Sequence, residues 1–178
     1  MLDILKEGET LKNREDREEH EMNQTKEIVK IEEISENYEN EMSFSFKSIS
    51  QNITAARAVV VAFLSPLDPL IADLNDIKTS VSEAITNSII HGYNSDPNRE
   101  VNLLCRYENN TIYIEIRDSG VGIKNLEQAM EPMYTSKPDE ERSGLGFTFM
   151  ENMMDTLRVS SDESFGTTVY MTKTLSGI

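Results

Sequence analysis

Glu83 and Asn87 stand four residues apart in SEAITNSIIHGY, residues 82–93, and that spacing stacks a carboxylate and an amide on one side of a helix. The amide oxygen is a hard ligand of the kind Mg2+ accepts when nucleotide phosphates supply other oxygens. A carboxylate one turn earlier can take a proton from a hydroxyl or water attacking a terminal phosphate. The same pair would also suit an ordinary solvated helix face. Its chemistry therefore depends on what the rest of the chain supplies.

Two further segments supply partners. Thr111 to Arg117 alternates with period two and runs directly into Asp118-Ser-Gly-Val-Gly, so a half-buried strand with Ile112, Ile114 and Ile116 on one side delivers a carboxylate to its end. An ionised carboxylate is acceptor-only and can take a hydrogen bond from an exocyclic amine such as that of adenine, while Gly120 and Gly122 allow backbone to approach a ligand closely. The third segment is Arg142-Ser143-Gly144-Leu145-Gly146, ahead of the helical stretch FTFMENMMD. Glycines at a helix start leave backbone N–H groups aimed at an anion, and Arg142 adds a charge that can grip phosphate through two hydrogen bonds. This Gly-x-Gly does not follow a buried strand, which disfavours the Rossmann and Walker loops.

The elements that must position these residues can be placed from periodicity. Ile77, Val81, Ala84, Ile85, Ser88 and Ile89 fill one stripe of a helix predicted over 73–91, which puts Glu83 and Asn87 at the rim of the core. Gly92 is expected to close that helix in a left-handed cap, with His91 answering the dipole. A strand is predicted over 42–47, and a helix over 52–64 with Ile53, Ala55, Ala56, Val59, Val60 and Phe63 inward and Arg57 exposed. Strands near 101–107 and 111–117, a stretch with little regular structure over 124–145, a helix over 146–155 and strands near 157–160 and 167–173 follow. The expected fold is α+β: a two-layer sandwich with a mixed, mostly antiparallel sheet and helices on one face.

In their order, the three motifs resemble the N, G1 and G2 boxes of the GHKL superfamily, whose ATP-binding (Bergerat) fold is this sandwich. LDPLIADLNDIKTSVSEAITNSIIHGY, AMEPMYTSKPDEERSGLGFTFMENMMD and GTTVYMTK are similar to one branch in particular, the sporulation anti-sigma F factors, which are serine kinases of endospore formers. The similarity covers roughly residues 38–174. It implies ATP and Mg2+ as cofactors, Glu83 as catalytic base, Asn87 as the Mg2+ ligand and Asp118 as the adenine contact. It further implies a lid at Thr135, Ser136 and Lys137, a phosphate segment from Arg142 to Gly146, and Thr167 near the base. Ser136 stands where the family suggests a second Thr, which keeps the hydroxyl. Arg57 falls where the family contacts its protein partners, and those partners would be a sigma factor and an anti-anti-sigma protein that is phosphorylated on serine. A homodimer is also implied.

Composition narrows the classes. With 17 basic against 32 acidic residues the net charge is −15, which repels nucleic acid at long range and would complement a basic DNA-binding protein. The single cysteine, Cys105, lies in the predicted strand VNLLCRY, which argues against disulfides and fits a reducing cytoplasm. No apolar run is long enough for a membrane span. Residues 1–37, which include NREDREEHEMNQ, read as a polar acidic extension, disordered or a solvated helix, ahead of one cored domain over 38–178. Two other readings of the motifs are a detached histidine-kinase catalytic module and a nucleotide-gated binding protein in which Glu83 is only structural.

Overall fold

The computed structural model describes residues 38–134 and 144–176, so the predicted extension lies outside them. Strand β1 (Asn40–Lys47) leads into helix α1 (Gln51–Leu64), a 3-10 turn at Ser65–Leu67 and helix α2 (Ile71–Asn87). A π-helical turn (Ser88–Gly92) is followed by β2 (Glu100–Glu108), β3 (Thr111–Arg117) and the short helix α3 (Leu126–Met130). Helix α4 (Gly146–Met153) and strands β4 (Thr156–Asp162) and β5 (Gly166–Thr174) complete the order.

The strands form one sheet, β1-β2-β3-β5-β4, and each of its four pairings is antiparallel. Glu108 faces Thr111 across a two-residue hairpin whose Asn109 and Asn110 both take positive φ, 46° and 64°. Such left-handed pairs match the twist of the flanking strands, and Asn tolerates them. Alternation then buries Val101, Leu103 and Cys105 of β2, Ile112, Ile114 and Ile116 of β3, and Val169 and Met171 of β5 on one face. The same core receives Val60 and Leu64 of α1, Ile77, Val81 and Ile85 of α2, and Met150 of α4. Each such aliphatic side chain contributes about 1.5–3 kcal/mol on leaving water. The result is the α+β two-layer sandwich that the alternation and helix periods predict.

Three local expectations need correction. The helix expected over 73–91 loses α geometry after Asn87, and Gly92 is not left-handed, since positive φ among the described glycines is confined to Gly122, Gly144 and Gly166. Gly92 is small for another reason: a Cβ there would lie 2.8 Å from Asp118 Oδ1. Within the stretch expected to lack regular structure, Leu126–Met130 is a helical turn, capped by Asn125 Oδ1 accepting from the Gln128 N–H at 3.0 Å. On α1, Ala55 and Val59 do not face inward; Val59 is 37 % exposed. The helix turns Ala56, Val60 and Leu64 to the core instead, a narrower stripe than the sequence pattern allows.

Candidate nucleotide site

Asp118 follows the last residue of β3, and the ladder to β5 carries one step past that strand. The Asp118 N–H donates to the Thr167 carbonyl at 2.9 Å, and the Thr167 N–H returns to the Asp118 carbonyl at 3.2 Å. That same N–H lies 3.3 Å from Asp118 Oδ1, which also accepts from the Gly120 N–H at 2.9 Å. The Ser88 hydroxyl is a further donor to this carboxylate. With the residue only 2 % exposed, burial pushes the carboxyl above the usual Asp range, and the Gly120, Ser88 and Thr167 donors oppose that push. The carboxylate thus sits in a nearly dry setting where its donors only partly offset the cost of burying its charge.

The turn beyond Asp118 is built from close approaches. Gly120 lies so near the Gly92 backbone that a Cβ would collide with it, while Gly122 takes φ 68°. The Ile123 N–H donates to Ser161 Oγ at 2.8 Å, and that hydroxyl is 2.8 Å from Thr167 Oγ1, which ties the turn to β4 and β5. Beside it opens a cleft of about 510 Å³ lined by Asn87, Asp118, Gly122, Gly144, Gly146 and Thr167 among others. That volume lies within the range of small-ligand pockets.

The three motifs converge there. Gly146 opens α4 against α2, so closely that a Cβ would stand 3.2 Å from Glu83 Oε2 and 3.5 Å from Asn87 Oδ1. Glu83 and Asn87 are both half-buried, as expected for the rim of the core. Glu83 is not part of the cleft wall; it lies one turn behind Asn87, next to the helix start that follows Leu145. Gly120 does not line the cleft either; it packs against the backbone of Gly92, which does. Thr135, Ser136, Lys137, Arg142 and Ser143 lie outside the described residues. The residues on either side of that stretch do reach the site, since Tyr134 and Gly144 line the cleft and the Met133 N–H donates to the Gly144 carbonyl at 2.9 Å.

Residues that spacing alone does not single out also belong to this wall: His91, Asn94 and Asn125 line it, and Ser88 reaches Asp118. Ser88 carried the one available signal. A hydroxyl inside an apolar stripe needs a partner, because a buried polar group left unpaired costs about 1–3 kcal/mol.

Arg57 lies away from the cleft and is not exposed as predicted. It is half-buried against α2, with Nη1 3.5 Å from Ser82 Oγ and with a buried Nε that finds no acceptor among the described residues. Residue 57 is only about 40° around the helix from residue 53, so packing against α2 covers it. Ser82 immediately precedes Glu83 in α2.

Among the described residues no group of three or more His, Cys, Asp and Glu side chains is placed to hold a metal ion. An ion at this site would draw on the Asn87 amide oxygen, water and ligand phosphates, which is the donor set Mg2+ accepts beside a nucleotide. No described helix is long and apolar enough to cross a membrane.

A sheet of this order, with a buried Asp at the end of β3 and a glycine-led helix start against a Glu and Asn pair, defines an ATPase-type nucleotide domain. Residues 46–173 match the histidine kinase-like ATPase domain family. The chain is 54% identical over 138 residues to the anti-sigma F factor of Oceanobacillus iheyensis, covering 78% of this chain and 94% of that protein. It is 51% identical over 137 residues to the anti-sigma F factor of Bacillus cytotoxicus, with 77% and 94% covered. The RsbU and RsbW domains of a Mycobacterium tuberculosis protein share the fold, with a TM-score of 0.58 at 17% identity, over 78% of this chain and 33% of that one. The chain therefore belongs to the histidine kinase-like ATPase domain family, within its anti-sigma F factor branch.

Proposed function

We propose that this protein is an anti-sigma factor and an ATP-dependent protein serine kinase, which holds an RNA polymerase sigma factor of the sporulation type when loaded with ATP and phosphorylates a serine of an anti-anti-sigma protein. The observation that carries the reading is the packing of the Gly146 helix start against Glu83 and Asn87, so close that a Cβ on Gly146 would stand 3.2 Å from Glu83 Oε2, beside a cleft that the buried Asp118 also lines. Asp118 accepts from the adenine amino group, with Thr167 beside it. Asn87 offers its amide oxygen to Mg2+. The phosphates lie against the N-terminus of α4, with Arg142, Ser143, Gly144, Leu145, Gly146, Thr135, Ser136 and Lys137 proposed as their contacts. Glu83 takes the proton of the attacking serine hydroxyl as its oxygen bonds to the γ-phosphorus and the bond to ADP breaks.

Arg57 provides the protein contact. An N–H that is buried and finds no acceptor among the described residues favours a carboxylate arriving from a partner, and bidentate Arg contacts of that type are enriched among binding hot spots. The net charge of −15 suits a basic DNA-binding partner. The protein acts in the cytoplasm as a homodimer, and the extension before residue 38 is dispensable for catalysis.

The test is to incubate the protein with Mg-ATP and a candidate anti-anti-sigma protein and to treat the product with acid. Acid-stable phosphate on a partner serine is expected. Acid-labile phosphohistidine would indicate a histidine-kinase module instead. Binding of ATP and sigma factor with no phosphotransfer would leave a nucleotide-gated binding protein.

A further inference from the structure

We infer that the π-helical turn closing α2 is the element that aims Asp118 at the base, with Ser88 and Tyr93 as positioning residues for adenine selection. The inference rests on the reading of Asp118 as the base acceptor.

The turn and the segment from Asp118 to Val121 meet at four successive points. The Ser88 hydroxyl donates to the Asp118 carboxylate. That carboxylate lies over the Gly92 Cα, where a Cβ would stand 2.8 Å from Oδ1. The Gly92 carbonyl accepts from the Val121 N–H at 2.9 Å, and the Tyr93 hydroxyl accepts from the Ser119 N–H at 2.7 Å. The phenol then donates its own proton to the Glu100 carbonyl at 2.6 Å. Burial holds its pKa above the ordinary Tyr value, so it stays neutral and keeps that proton.

The π geometry explains how one short turn reaches all of these atoms. Residues five apart on an α-helix diverge by about 140° around the axis. Here the Tyr93 N–H bonds to the Ser88 carbonyl at 2.9 Å, five residues back, and the widened turn brings the two onto one side. Single π turns inside α-helices cluster at functional sites. Packing alone would not require either hydroxyl. Phe would fill the Tyr93 volume and Ala the Ser88 position, yet Ser88 is 3 % and Tyr93 6 % exposed, and both hydroxyls are spent on the Asp118 turn.

The test is calorimetric titration of metal-free ADP and of inosine diphosphate, which lacks the 6-amino group, into the full chain and its Ser88→Ala, Tyr93→Phe and Asp118→Ala variants. For both positioning variants the expected loss is about tenfold in ADP affinity with less than about twofold change for inosine diphosphate, as for one hydrogen bond to a charged group lost or misaligned. Their preference for ADP should therefore fall while the melting temperature is largely kept. Equal weakening of both nucleotides, or no change in either, would overturn the inference. If Tyr93→Phe fails to fold, Ser88→Ala decides alone, since it deletes one hydroxyl from the cleft wall. The Asp118→Ala variant, which leaves no side-chain acceptor at this position, separates the two layers. If it keeps the parent's preference for ADP, the base-acceptor reading fails and the inference with it. If it loses that preference while Ser88→Ala and Tyr93→Phe retain it, only the positioning inference fails.

Discussion

The two parts of the site, Asp118 and the Glu83–Asn87 pair, are constructed differently. Asp118 is buried, and its carboxylate is fixed by two backbone N–H groups and the Ser88 hydroxyl, all within the fold. Glu83 and Asn87, in contrast, are half-buried on one side of α2, against the start of α4. The first part suits recognition, because its acceptor is oriented before any ligand arrives and costs little to organise on binding. The second suits chemistry, because a base and a metal ligand must reach atoms that a partner protein and a nucleotide bring to them. Binding and phosphotransfer should accordingly be separable by substitution.

The largest effect is expected at the pair of Glu83 and Asn87. Glu83→Gln should lower phosphotransfer by about 10²- to 10⁴-fold, the usual contribution of a positioned base, while ATP binding and sigma-factor binding stay near the parent. A variant rate above about a tenth of the parent's would remove Glu83 from that role.

Arg57→Ala should next weaken binding of both the sigma factor and the anti-anti-sigma protein by about 2 kcal/mol or more, the threshold for a hot spot. Nucleotide affinity should not change. Because Arg57 contacts Ser82, one residue before Glu83, a loss of nucleotide affinity as well would mean that the partner face and the cleft are mechanically joined. Calorimetry with nucleotide bound distinguishes the two outcomes.

The smallest effect concerns pH at Asp118. The ionised Asp118 carboxylate accepts from an amine more strongly than its protonated form does, and burial holds its pKa above the ordinary value. Affinity for ADP should therefore begin to fall on acidification at a higher pH than an exposed Asp would give, with at most about tenfold per pH unit once below that pKa. Asp118→Asn, which has no proton to gain in this range, should show a flat profile. Titrating ADP between about pH 7 and about pH 5 compares the two.

Much of this contrast was legible in the sequence. Helical spacing put Glu83 and Asn87 at the core's edge, and period-two alternation led a strand into Asp118, because both signals are local. What the sequence did not disclose came from elements that meet across the fold. Ser88 fitted the apolar stripe of its helix, and nothing within ten residues indicated that a carboxylate thirty positions later would stand over it. Gly92 had the composition of a cap, yet its lack of a side chain answers to Asp118. Arg57 lay beside the inward stripe of its helix, but whether α2 would cover it depended on how the two helices pack. Periodicity assigns a face; it does not say which neighbour arrives there.

The separation of recognition from chemistry is tested most directly by titrating metal-free ADP into Asp118→Ala and Asn87→Ala side by side. Asp118→Ala should lose about 10- to 100-fold in affinity, as expected for a hydrogen bond to a buried charge. Asn87→Ala should bind metal-free ADP as the parent does, with its deficit confined to Mg-ATP. Equal losses for the two variants without metal would contradict the account.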